Sequence, residues 1–362
     1  MLARAHRYGN GARALWLLGT IASLVALVVL CWRLPRSART LGLGRVSGAI
    51  VIGMVMVATL WIVQLPFSIA TLWWQHHYDL GPFDVWGWLF SQRVVLVAQA
   101  IFWLAAISLI VALAVRFPRG WWLPGSLAIV ALMALLSFTS GWLASIGSHP
   151  LRDPVLRADV ARIQAAENVH PPVRELKVSD WTSEPNAFTA GFGPSTHVLV
   201  WDTMLDGRFS RGQLDVVIAH ELGHARSRHI PKSIAWYALF VLPAALLVAF
   251  VTGRRGGLRN PANLPLAILV FTVYGLLITP FENAVTRRYE AEADWRALVA
   301  TNNPAAARKL FQNFVPTTLE EPDPPLWDYA FLENHPTIAQ RIAMVNAYAA
   351  RTSSSPASLA GP

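Results

Sequence analysis

Six long apolar runs decide what this chain can fold into: Ala14–Trp32, Val46–Trp74, Val94–Val115, Trp121–Leu143, Ser233–Val251 and Leu264–Phe281. Each is near or above the roughly 18 residues a helix needs to cross a bilayer. In hydrocarbon every backbone N–H and C=O must find its partner within the segment, so runs of this kind fold as helices. Val46–Trp74 is long enough to tilt or bend, with Pro66 as the place to do so, and Pro243 offers the same in the fifth run. Tryptophans gather at run ends (Trp32, Trp73, Trp74, Trp121, Trp122, Trp142), where an amphipathic indole settles at headgroup depth. Only 14% of the 362 residues are charged, against about 25% in soluble domains. The chain therefore reads as an α-helical integral membrane protein of about six spans.

The first run reads as a retained anchor. It is too long for a cleaved signal, and Cys31-Trp32-Arg33 offers no small-residue cleavage site. The single cysteine excludes an intrachain disulfide and a cysteine-rich zinc site. A net charge of +9 would point to nucleic acid in a soluble protein. Here many arginines flank spans, where they anchor helix ends and meet anionic lipid. No basic stripe with interleaved aromatics occurs in the polar parts, so the expected partners are the bilayer and a polypeptide, not nucleic acid. The expected location is a bacterial plasma membrane. Arginines in short loops place the polar region 144–232 outside the cytoplasm; adding those near spans in the long polar segments reverses the tally.

The expected organisation is four spans over 1–143, a polar part over 144–232, a two-span hairpin over 233–282, a helical polar part over 283–350 and a disordered tail over 351–362. The first polar part opens with a helix over Asp153–Glu167. Strand candidates follow at Glu175–Asp180, Ala187–Phe192 and His197–Asp202, the last two joined by a hairpin turn at Gly191, Gly193 and Pro194. The second polar part reads as helices over Thr286–Ala300, Pro304–Phe314 and Thr337–Ala350.

Chemistry enters at His220-Glu221-Leu222-Gly223-His224. On a helix the two histidines lie one turn apart on one face, so their ring nitrogens can share one divalent cation, Zn²⁺ above all. Glu221 is one step round, close enough to take a proton from a water the metal activates. This is half of a zinc peptidase site, and it needs a third ligand. A small sheet beside the motif helix would complete a small α+β zincin-like catalytic domain. An exposed edge strand in that sheet can hold a substrate backbone extended.

Acidic candidates after His224 cluster in FENAVTRRYEAEADWRAL, just past the sixth run. Glu290 and Asp294 are i and i+4 on one helix face, and Glu292 points away. One reading makes Glu290 the third ligand and Asp294 a carboxylate that orients a ligand histidine. The other is a solvated face on which Arg287 and Arg288 pair with these acids. The 66 residues between His224 and Glu290 contain two spans, which suits a hairpin returning the chain to the same side.

At these residues the chain resembles the membrane gluzincins that include the type I CAAX prenyl proteases and the HtpX heat-shock proteases. The shared pattern after the spans is Thr286, Arg287, Arg288, Tyr289, Glu290, Ala293 and Asp294. The resemblance implies one Zn²⁺ per chain held by His220, His224 and Glu290, with Asp294 beside them and described in the family as a proton donor. EPNAFTAGFGPSTHVLVWDTML is similar to the family's edge strand and the strand after it, which implies Asn186, Ala187 and Phe188 beside the substrate backbone. NHPTIAQRIAMV resembles the start of its His-Pro helix, which implies His335 near the developing oxyanion and Arg341 near a substrate carbonyl. The loop HHYDLGPFDVWGWLFSQ is closer to the prenyl-protease branch. The likeness runs from about His76 to Ala347, with six spans here against seven in the CAAX proteases. His229, His197, His76 and His77 have no matched role and read as interface or surface residues.

The expected function is thus a zinc-dependent membrane metalloendopeptidase with Glu221 as general base. Two alternatives share the motif. A site-2-type intramembrane protease would place it inside a span and take an Asp from a later one, but neither the fifth nor the sixth run contains Asp. A signalling or sensor metalloprotease would cleave a regulatory protein.

Overall fold

The computed structural model describes residues 1–38, 44–180 and 182–354. Among them, six helices are long and apolar enough to cross a membrane. They belong to α1 (Leu2–Ala38), α2 (Arg45–His77), α3 (Val85–Arg116), α4 (Trp122–Ala144), α7 (His229–Gly253) and α8 (Leu264–Thr301). The chain divides into two compact units.

One unit, Asn10–Met133 with Ile234–Thr279, is built from these helices. Leu27 of α1, Ile52 and Met56 of α2, Ile107 and Val111 of α3 and Leu264 of α8 form a buried apolar cluster. A Cβ on Gly53 would lie 2.3 Å from Ile107 Cδ1, so a larger residue there would force the Ile107 side chain of α3 to shift. The outward faces stay apolar, with Val25, Ile62, Leu127 and Phe271 exposed, as suits helices that meet lipid. Helix α3 begins nine residues before the expected Val94, because the Asp84 side chain caps it by accepting from Gly87 N at 2.8 Å.

The other unit, Met1–Gly9 with Ala134–Ser233 and Pro280–Pro362, holds a four-stranded sheet and the remaining helices. Its strands are β1 (His149–Pro150), β2 (Val173–Leu176), β3 (Ala187–Ala190) and β4 (His197–Trp201), in the order β1-β2-β4-β3. The apolar run of β4 is central, parallel to β2 and antiparallel to β3, and β3 is an edge. Strand β2 starts two residues before the expected Glu175. That register pairs Val173 with Val198, while Val178 N and Ser179 N turn away to donate to the Asp202 carboxylate at 2.9 and 3.1 Å.

Helices α5 (Pro154–Glu167), α6 (Arg211–Ser227), α9 (Pro304–Thr318), α10 (Leu326–Phe331) and α11 (Ile338–Ser354) pack here with the end of α8. Ile163, Val198, Ile218, Leu222, Leu298 and Phe311 lie in their common core. The expected sixth span and the helix at Thr286–Ala300 are one 38-residue helix, α8. No glycine separates the two parts, the Asn283 side chain donates to the Ala330 carbonyl at 3.0 Å instead of capping a helix, and Pro280 removes only one backbone donor. The six-residue α10 and the two-residue β1 are too short to leave a periodic signature. Helix α11 runs to Ser354, so Arg351–Ser354 are helical rather than disordered, and 355–362 lie outside the described residues.

Ile163 is fully buried between α5 and the sheet core. Ile163→Ala is expected to lower stability by roughly 2–5 kcal/mol through the cavity it leaves, measured by thermal unfolding in detergent.

Candidate metal centre

Helix α6 opens at Ser210, whose backbone N–H donates to Gln213 Oε1 at 2.7 Å. Val216, Val217, Ile218, Ala219 and Leu222 bury one face of it in the core. The helix is thereby fixed, and it carries His220 and His224 one turn apart with their Nε2 atoms separated by 3.0 Å. Helix α8 delivers the third group. Glu290 Oε2 lies 3.1 Å from His220 Nε2, and Oε1 lies 3.5 Å from His224 Nε2. One ligand atom from each of these three side chains falls within 4.8 Å of the others. The α6–α8 approach depends on small residues. A Cβ on Gly223 would lie 3.3 Å from Arg296 Cβ and 3.4 Å from Ala293 Cα, and Ala293 is itself fully buried.

Around the cluster, polar partners orient each group. Asp294 Oδ1 is 2.9 Å from His220 Nδ1. A carboxylate can only accept, so this bond places a proton on Nδ1 and turns Nε2 toward Glu290. Arg341, expected beside a substrate carbonyl, is buried instead and holds Asp294 with two bonds, Nε to Oδ2 at 2.8 Å and Nη2 to Oδ1 at 2.6 Å. Its guanidinium also lies over the Phe311 ring at 4.2 Å. Glu221 is buried, and the Thr189 hydroxyl donates to it, 2.9 Å from Oε2 and 2.8 Å from the backbone carbonyl. His335 is nearly half exposed; its Nε2 is 3.1 Å from Glu290 Oε2 and its Nδ1 is 2.6 Å from Asn334 Oδ1.

Does this set fit a metal ion? Two ring nitrogens lie 3.1 Å from Glu290 Oε2, and this buried oxygen has no well-aligned hydrogen bond. A buried carboxylate oxygen facing imidazole nitrogens calls for positive charge, which a proton on His220 or a metal ion can supply. Two histidines and one carboxylate are the donor set of a three-ligand catalytic zinc site. Burial opposes a charge on His220, but Asp294 and Glu290 beside its two nitrogens overcome it and lift its pKa to about 10. The metal-free cluster thus holds a proton where a cation would sit.

His229, expected at a surface or interface, is buried. Five positions after His224, it would point elsewhere on a continuous helix. Arg228 adopts a left-handed conformation, φ +55°, which ends α6 and starts α7 at a sharp corner. That corner returns His229 to His224, with the two Nδ1 atoms 2.9 Å apart. His229 Nε2 faces Glu292 Oε2 at 3.3 Å, its ring stacks on Tyr289 at 4.5 Å, and Ser227 donates to Glu292 Oε1 at 2.5 Å. A proton on His229 Nε2 leaves its Nδ1 to accept from His224 Nδ1–H, and His224 Nε2 then carries a free lone pair. The signal available in the sequence was the His-x-x-x-x-His spacing across a helix break. Thr189 left no signal, because a threonine in a strand is ordinary.

Asn186, exposed, precedes the edge strand, and its carbonyl accepts from Trp201 N at 3.0 Å. Ala187 and Phe188 lie in β3, half-buried, two and one residues before Thr189. A cavity of about 610 Å³ is lined by Thr189, Phe192, Pro194, His224, Arg228 and Pro231 among others.

Residues 150–349 match the sequence profile of peptidase family M48. The chain is 29% identical over 241 residues to the uncharacterized metalloprotease YhfN of Bacillus subtilis, covering 63% of this chain and 56% of YhfN. It is 28% identical over 280 residues to a protease HtpX homolog of Acidiphilium cryptum, covering 68% of this chain and 94% of that one. A CAAX prenyl protease 1 homolog of Oryza sativa is 26% identical over 208 residues, 54% of this chain and 48% of that one. This chain thus spans about half of YhfN and of the rice protein. In fold it is similar to the crystal structure of S. mikatae Ste24p, with a TM-score of 0.75 at 16% identity, covering 95% of this chain and 88% of that one.

Gly223→Val is expected to push α8 away from α6 and to weaken metal binding by about ten- to a hundredfold, read by competition with a chelator. His229→Phe keeps the stacked ring but removes both nitrogens, and is expected to weaken metal binding by a similar ~10–100-fold factor. His229→Asn, whose amide oxygen can accept from His224, is expected to restore most of it.

Proposed function

The chain belongs to peptidase family M48, and on that premise we propose that it is a zinc-dependent metalloendopeptidase of the membrane. The observation that carries this reading is the convergence of His220, His224 and Glu290 on one point, with a buried Glu290 oxygen left without a hydrogen-bond partner. A zinc ion held by these three side chains would supply a Lewis acid for the scissile carbonyl and bring the pKa of a water down to about 7.

The remaining roles fall to the chain's own side chains. Glu221 takes the proton of the attacking water and passes it to the leaving amine. Thr189 holds the Glu221 carboxylate in place, so the strand that would carry the peptide also sets the base. The edge of β3 at Asn186, Ala187 and Phe188 receives an extended peptide by strand addition. His335, exposed on one side and beside Glu290 on the other, is placed to donate to the oxyanion. Asp294 fixes the proton of His220, and Arg341 fixes Asp294; we assign Arg341 to this support rather than to the substrate. Helix α6 is not among the six membrane-length helices, which favours a site outside the spans over a site-2-type arrangement.

The test is zinc content and casein cleavage by detergent-purified protein. Glu221→Gln is expected to keep zinc and to lose roughly 10²–10⁴-fold in rate. Glu290→Ala is expected to lose zinc and activity together. A Glu290→Ala protein that binds zinc and cuts like wild type would overturn the third-ligand assignment.

The pKa of His220 adds a pH dependence. The metal-free site holds a proton on His220 below pH of about 10, and a metal ion must displace it. Zinc affinity is therefore expected to fall as pH is lowered, by up to about tenfold per unit, with proton release on binding seen in weakly buffered solution.

A further inference from the structure

Far along the chain from the metal ligands, the membrane unit carries an open cavity of about 1040 Å³. Two connections line it, the α3–α4 turn with Arg116 and Arg119 and the α7–α8 loop with Arg254 and Arg259, together with Trp122, Leu246, Ala249 and Phe250. Four cationic side chains thus share one hollow with an apolar wall, at the ends of four membrane-length helices.

The stretches of chain that carry them hold no acidic residue. The chain has no Asp or Glu at 85–152 or at 222–281. Among the described residues, the partners given for three of these arginines are uncharged: Arg116 lies over the Phe117 ring at 4.9 Å, Arg254 lies over the Phe250 ring at 4.5 Å, and Arg259 Nε donates to the Gly256 carbonyl at 3.1 Å. Arginines that only mark a span end would not need a shaped hollow, and this one is built. Trp121 and Leu258 anchor the two connections in a buried cluster with Ala114, Val248 and Ala267. Buried Asn263 donates to the carbonyls of Arg255 and Gly257, at 2.9 and 2.8 Å. Gly256 and Gly257, at φ +90° and +73°, allow the tight loop this requires.

We propose that this cavity binds an anionic phospholipid, its phosphate headgroup among Arg116, Arg119, Arg254 and Arg259 and its first acyl carbons along Trp122, Leu246 and Phe250. Guanidinium groups are suited to phosphate oxygens, which they bind through paired N–H donors. Basic pockets between spans are suited to lipid headgroups. A free phosphate would use the arginines but not the apolar wall, so the mixed lining favours a lipid.

The test is native mass spectrometry of the full chain in nonionic detergent, with phosphatidylglycerol or phosphatidylcholine added. Wild type is expected to retain phosphatidylglycerol over phosphatidylcholine by at least about tenfold. Replacing all four arginines by glutamine is expected to abolish that preference. Leu246→Trp, which narrows the cavity and removes no charge, is expected to lower retention of phosphatidylglycerol as well, and guards against a misfolded arginine variant. Replacing Arg33 and Arg45, which flank spans but do not line the cavity, is expected to change nothing. Equal loss from the Arg33 and Arg45 replacements would overturn the proposal in favour of general charge attraction. Displacement of the lipid by millimolar inorganic phosphate would overturn it in favour of a free-phosphate site, and a wild type without preference would overturn it outright.

Discussion

Two carboxylates, Glu290 and Asp294, lie buried one turn apart on α8, and their neighbours are arranged to balance that charge. An isolated carboxylate in such surroundings would take up a proton rather than stay charged. Arg341 makes two bonds to Asp294, and His220 lies between the two acids with one nitrogen toward each. That leaves Glu290 Oε2 as the unsatisfied atom, with imidazole nitrogens around it. Like charges one turn apart repel, so the pair persists because cations come from two other elements, α6 and α11. The metal reading follows from this balance: a divalent ion is the group that satisfies one acid and two lone pairs at once.

Holding those charges together requires that α6 and α8 nearly touch. Gly223 and Ala293 supply the contact, and a side chain at Gly223 would meet Arg296 and Ala293. Gly223 inside the His-Glu-x-x-His segment is therefore a packing residue, and its neighbours on the helix carry the chemistry. The same helix ends at Arg228 in a conformation that few non-glycine residues adopt. The corner so made carries His229 back to His224. A backbone turn, rather than a longer side chain, supplies the hydrogen bond that orients the second histidine.

The fold was legible where one strong period dominates. The apolar runs gave the spans, and the β-branched HVLVW gave the central strand. Boundaries shifted where a local bond competes with the pattern, as at Asp84 for α3 and Asp202 for β2. Within the site, the ligand candidates were legible because the i, i+4 rule converts spacing into a shared face. His229 and Thr189 were not. One depends on a left-handed residue that no periodicity announces, and the other on which side of a strand faces the helix. Arg341 was visible as a candidate, but sequence cannot show that its guanidinium makes two bonds to Asp294.

The order of the chain explains why such a site belongs to a membrane protein. His220 and His224 precede α7, while Glu290 and Asp294 come after the apolar part of α8. Residues 233–282 thus lie in sequence between the two parts of the ligand set, and the polar segment before them holds only two of its three members. In hydrocarbon a hairpin of two helices is the arrangement that satisfies its own backbone and brings the chain back. The first turn of α7 also carries His229, and the polar end of α8 carries Tyr289 and Glu292 against it. Both α7 and α8 thus carry, beyond their apolar stretches, residues that either hold the metal position or orient those that do.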